Sequence, residues 1–333
     1  MTQGEAAARF LLFAAQPAPP PAPRSLELRR SSCSIADVDE PTYPGVVEPE
    51  RRRTFSSRGL RLNALEWGDP AAPTLVLAHG GWDHAWGFAV LAPSLAERFC
   101  VIALDARGHG DSEWAGAYTW SADIRDLLNV VLALDRPVAL VGHSKGGGQV
   151  TDAAWLLDDR VRKVVNIDGF GPPPFPPEAM QSLAQRCADY LDVRRRSFER
   201  SDWRPYQSLE QLIARRKAQN PRLNEEWLRF FCSKGSRRSA DGWRWKADPH
   251  AADGFGPWRP EWIGLSYANL LVPMLAIVGS EADIWGPLPA AILDERLQHV
   301  RNVERRIVTG AGHFVHMERP LETAALILDF LRS

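Results

Sequence analysis

Short, uninterrupted apolar runs recur along this chain and restrict its fold more than any other feature. They are Thr74 to Ala78 (TLVLA), Val101 to Leu104 (VIAL), Val138 to Val141 (VALV), Val164 to Ile167 and Leu275 to Val278, with a weaker one at Glu304 to Val308. A strand that faces water on one side alternates apolar and polar residues. A continuous run belongs to a parallel strand covered on both faces. Helical segments fit between the runs at residues 88–98, 122–134, 147–157, 290–299 and 321–331. Ahead of them, Arg53 to Phe55 and Leu62 to Glu66 alternate like a hairpin around Ser57-Arg58-Gly59. The expectation is an α/β protein with a doubly wound, mostly parallel sheet.

The alternation fails once. Residues 172–270 open with Gly171-Pro172-Pro173-Pro174, hold no strand-like run, and read as Arg-rich helices at 178–199, 208–219 and 224–234. This predicts a helical cap inserted between two sheet strands. Residues 51–171 and 271–333 are then the two parts of the core. Residues 1–50 are predicted to be a disordered leader, because Pro17 to Pro23 and the apolar patch Phe10 to Ala15 bury too little to offset ordering. One Arg and so short an apolar patch do not make a secretory signal.

Gly142-His143-Ser144-Lys145-Gly146 lies directly after VALV and directly before a helical segment. Gly-x-Ser-x-Gly at such a place is the pattern of a nucleophile elbow. The sharp turn strains the central residue, and its neighbours lack side chains so that two backbones can approach. Ser144 is the candidate nucleophile. His313, in Gly310-Ala311-Gly312-His313 after the last strand, is the candidate base, and His316 nearby reads as a packing residue. The acid is expected from Gly279-Ser280-Glu281-Ala282-Asp283, with Asp283 chosen and Glu281 and Asp168 as alternatives. His79-Gly80-Gly81-Trp82 follows TLVLA, so the backbone N–H groups of Gly81 and Lys145 are the candidate oxyanion hole. His79, Asp105, Arg107 and His109 read as loop-holding residues.

Four ordered blocks, LAHGGW (77–82), DARGHGDS (105–112), VGHSKGGG (141–148) and GAGHFVHMERP (310–320), resemble the α/β-hydrolase superfamily over residues 53–331. The cap, with RSADGWRW (238–245), is similar to that of serine hydrolase-like proteins. The resemblance implies a cofactor-independent serine hydrolase acting on a small or medium ester, lactone or thioester through an acyl-enzyme. Amide or carbon–carbon bond hydrolysis, or a slow-turnover ligand sensor, are the alternatives. Lys145 departs from the apolar or amide residue of relatives, and would favour an anionic substrate or bridge to the cap. Trp82, Phe170 and Trp285 are the expected lining of the substrate pocket.

Composition excludes other classes. Lys and Arg total 40 against 41 Asp and Glu, for a net charge of −1, so no global field attracts nucleic acid. Cys33, Cys100, Cys187 and Cys232 have neither disulfide-framework nor metal spacing, which fits a reducing, cytoplasmic location. No metal or other cofactor is expected. No apolar run suffices for a membrane span. A small-molecule substrate is the expected partner, and a homo-oligomer is compatible with the composition.

Overall fold

The computed structural model describes residues 41–173, 183–197, 202–253, 260–283 and 286–332. By contact the chain divides into Met1–Asp39, outside the described residues, and Glu40–Ser333. In the second unit, strands β1 (Arg51–Ser57), β2 (Leu60–Trp67), β3 (Thr74–Ala78) and β4 (Cys100–Leu104) come first, with helix α1 (Leu91–Ala96) between the last two. Helix α2 (Trp120–Ala133), β5 (Val138–His143), α3 (Lys145–Leu156) and β6 (Val161–Ile167) follow. After the inserted segment come β9 (Met274–Gly279), α8 (Ala290–Leu297), β10 (Val303–Val308), α9 (Val315–Glu318) and α10 (Pro320–Arg332).

Eight strands form one sheet in the order β1-β2-β4-β3-β5-β6-β9-β10. β1, β2 and β4 pair antiparallel, and β4 through β10 are parallel. Successive residues of each apolar run serve opposite faces. Leu75 and Leu77 join a core with α1 and α10, while Val76 and Ala78 join one with α2, α3 and α8. That is why the five strong runs are almost wholly apolar, Thr74 and Asn166 being the exceptions: each fully buried aliphatic side chain is worth roughly 1.5–3 kcal/mol. Parallel pairing also brings the carboxyl ends of β3, β5, β6 and β9 to one edge, where Ala78 stands opposite Gly142 and Ile167 opposite Ile277. Ligand crevices of open α/β sheets form there.

The inserted segment carries α4 (Leu183–Ser197), α5 (Leu209–Gln219), α6 (Glu225–Lys234) and α7 (Ile263–Tyr267). Side chains cap two of them: Ser208 accepts from the Gln211 N–H and Asn224 from the Trp227 N–H, each satisfying an open helix donor. Two expectations are corrected. The segment also holds a hairpin, β7 (Ser236–Ser239) and β8 (Gly242–Trp245), extended by a bridge from Trp243 to Tyr206. Its strands are four residues long and half-buried, so they present no apolar run. Residues within 41–50, expected in the leader, also make contacts with the rest of the second unit. Tyr43 packs edge-on to Trp227 at 5.2 Å, and the Val47 carbonyl accepts the Trp67 indole N–H at 2.8 Å.

Candidate active site

β5 ends at His143 and α3 begins at Lys145, leaving Ser144 as the hinge with φ 51° and ψ −120°. This left-handed conformation is held by the Ser144 N–H donating to the Ile167 carbonyl at 2.9 Å. The turn is tight enough that a Cβ on Gly142 would collide with the Gly146 carbonyl, and one on Gly146 with the Ala78 carbonyl. Such strain persists only where its surroundings over-determine it. Its consequence is a hydroxyl raised at the sheet edge, at the start of a helix.

His313 stands in the loop between β10 and α9, and its Nδ1 lies 2.6 Å from Asp168 Oδ2. A carboxylate only accepts, so Nδ1 carries the proton and donates, which leaves Nε2 as the base. The expectation that Asp283 holds this ring is therefore corrected. Asp283 Oδ2 accepts the His313 backbone N–H at 2.8 Å, and its Oδ1 accepts the Gly286 N–H at 3.0 Å. Both of its oxygens thus accept main-chain N–H groups, and Glu281 accepts from Ser280. Asp168 reaches the ring because β6 neighbours β9, and because φ of 48° turns it off the strand end. Arg296 clamps the outgoing loop through the carbonyls of Phe170, Gly171 and Pro172.

Behind the base lies His143. Its Nε2–H donates to the His313 carbonyl at 3.0 Å, and its ring lies 4.3 Å from that of His316. Burial pushes the His143 and His316 imidazoles below their usual value, which keeps both neutral. His79 accepts the Ala106 N–H at 3.0 Å and His109 is bonded to the Arg107 carbonyl at 2.9 Å. Asp105 accepts from Asn63, Ala85 and Asp111, and Arg107 grips Asp126 with two hydrogen bonds. All four residues hold loops.

The Lys145 ammonium lies 2.5 Å from Asp123 Oδ2 on α2. The cap connection is made by Arg216 of α5, which pairs with Asp83 and donates to the Trp82 carbonyl at 3.3 Å. Burial would raise the Asp83 carboxyl, yet the Arg216 guanidinium beside it holds it well below the usual carboxylate range. Arg216 is thus buried although it lies in one of the Arg-rich helices.

Ser144, His313, Asp168, Gly81, Lys145, Trp82 and Phe170 all line one cavity of about 620 Å³, between the sheet edge and the inserted helices. Trp285 lies outside the described residues. Sequence reasoning missed Trp120, Asp152 and Arg216 as lining residues. The signal was present for Asp152, which follows Ser144 and Gly148 at four-residue steps. Among the described residues, no group of three or more His, Cys, Asp or Glu side chains is placed to hold a metal ion, and no helix is long and apolar enough to cross a membrane.

Residues 75–326 match the Alpha/beta hydrolase family. A serine hydrolase-like protein of Dictyostelium discoideum is 24% identical, over 82% of this chain and 79% of its own. The 3-hydroxybutyrate-oligomer hydrolase of Cupriavidus necator is 28% identical, over 81% of this chain and 93% of its own. Among solved structures, the thioesterase domain from the curacin biosynthetic pathway superposes with a TM-score of 0.71 at 21% identity, covering 84% of this chain and 98% of the domain. At that identity the likeness is one of fold.

Proposed function

From the premise that this chain belongs to the alpha/beta hydrolase family, we propose that it is a cytoplasmic serine hydrolase of carboxylic esters or thioesters, acting through an acyl-enzyme on Ser144. The observation that carries the reading is the 2.6 Å contact between His313 Nδ1 and Asp168, in the cavity that also holds the strained Ser144. A 3-hydroxybutyrate-oligomer hydrolase among the relatives and a thioesterase domain among the solved structures of like fold are in keeping with it. Free thiols at Cys100, Cys187 and Cys232 suit a reducing compartment.

The Ser144 hydroxyl adds to the substrate carbonyl while His313 Nε2 takes its proton. Asp168 keeps the ring oriented and stabilises the imidazolium. Negative charge gathers on the former carbonyl oxygen, and the N–H groups of Gly81 and Lys145 are the donors proposed to receive it. One such donor is worth about 3–4 kcal/mol of barrier. His313 then protonates the leaving alcohol or thiol as the tetrahedral species collapses to acyl-Ser144. A water that gives its proton to Nε2 attacks the acyl carbon and releases the acid.

The test is steady-state hydrolysis of p-nitrophenyl esters from acetate to octanoate. The purified protein is expected to turn them over, with Ser144→Ala reducing kcat by at least about 10³-fold. Equal rates for the two proteins would overturn the proposal.

A further inference from the structure

Asp152 is a carboxylate inside the substrate cavity that no Lys or Arg among the described residues neutralises. It accepts the Trp120 indole N–H at 2.7 Å, and the Ser266 hydroxyl and the Trp155 indole also face it. Among the described residues no Lys or Arg pairs with it. Burial raises its pKa, which is the cost of holding a carboxylate in a low-dielectric site on neutral donors alone. Its charge also reaches the Tyr267 hydroxyl, whose pKa burial and Asp152 together push up.

The surroundings suit a cation. Trp120, Trp262 and Tyr267 line the same end of the cavity, and Trp262 is 43% exposed. Aromatic faces beside a carboxylate attract ammonium groups. The path to Ser144 is direct. Ser144, Gly148 and Asp152 lie at successive four-residue steps along α3 and all line the cavity. Such residues share one face of a helix, and eight residues rise about 12 Å. Gly148 admits an aromatic wall between them: a Cβ there would sit 2.8 Å from the Trp120 ring, so the indole lies flush on the helix between nucleophile and carboxylate.

The leaving group must stand beside His313, which protonates it. The opposite lobe, along α3, therefore takes the acyl chain. We propose that this lobe selects acyl groups carrying a terminal ammonium, held by Asp152 about 12 Å along α3 from Ser144. The assignment deepens the serine hydrolase reading and rests on it for the direction of the acyl chain. A straight aminoacyl chain with five methylenes between carbonyl and nitrogen spans the gap.

Calorimetric binding to the Ser144→Ala protein separates this idea from turnover. The methyl ester of 6-aminohexanoic acid is expected to bind at least about ten-fold tighter than methyl heptanoate, as one charge-assisted hydrogen bond provides. Asp152→Asn in the same background should erase that preference. Equal or weaker binding of the ammonium ester overturns the proposal without any change at Asp152, and so does a preference that survives Asp152→Asn. Hydrolysis of p-nitrophenyl acetate does not involve Asp152. If that activity is absent while the ammonium preference holds, the hydrolase reading alone fails.

Discussion

Asp168 meets His313 at the ring and Asp283 meets it at the main chain, so two carboxylates on one residue have separable effects. An amide at position 168 can donate to Nδ1 and hold the imidazole in the tautomer that has no base at Nε2. Asp168→Asn is therefore expected to lower kcat by about 10⁴-fold with the fold intact. An amide at position 283 keeps one oxygen to accept a backbone N–H, and disturbs only the placing of the loop. Asp283→Asn should lose less than about a hundred-fold, the order expected for a small misplacement of a catalytic group. Kinetics of the two purified variants on one ester decides it. If Asp283→Asn is the more damaged, the acid has been assigned to the wrong residue.

At the scale of elements, the inserted helices are fixed to the sheet by buried polar contacts as well as apolar ones. His84, in the loop after β3, stacks on Phe231 of α6 at 4.1 Å and donates from Nε2 to its carbonyl at 3.1 Å. Burial lowers its pKa to about 3, against the opposing pull of Asp83. In the unfolded chain the ring titrates near pH 6.5. Between the two values the unfolded state binds a proton that the folded state refuses, so stability falls as pH drops through this window. His109, also lowered to about 3 by burial, acts in the same direction. Urea unfolding at pH 7 and pH 5 should show a loss of stability on acidification, smaller by about 1–2 kcal/mol in His84→Gln. An equal loss in both proteins would mean that His84 is not held neutral in this contact.

Over the whole molecule, what could be read from the sequence is what local chemistry dictates. The parallel strands were legible because burial on both faces leaves most of them nearly free of polar residues, and the elbow because its backbone geometry admits only glycine at two places. The acid was not, because choosing between Asp168 and Asp283 depends on how β6 and β9 lie side by side, which no run of residues encodes. The β7–β8 hairpin escaped for a different reason, since its short half-buried strands have no apolar run to detect. Arg216 looked like one more exposed base until the fold set it against Asp83. The proposed reaction requires an activated Ser144, and its reactivity can be measured directly. The purified protein is treated with a fluorophosphonate and weighed intact, beside Ser144→Ala and His313→Ala. One adduct per chain, absent from both variants, is the predicted result. A well-folded protein that takes up no label, or takes it up equally without Ser144, would contradict the account.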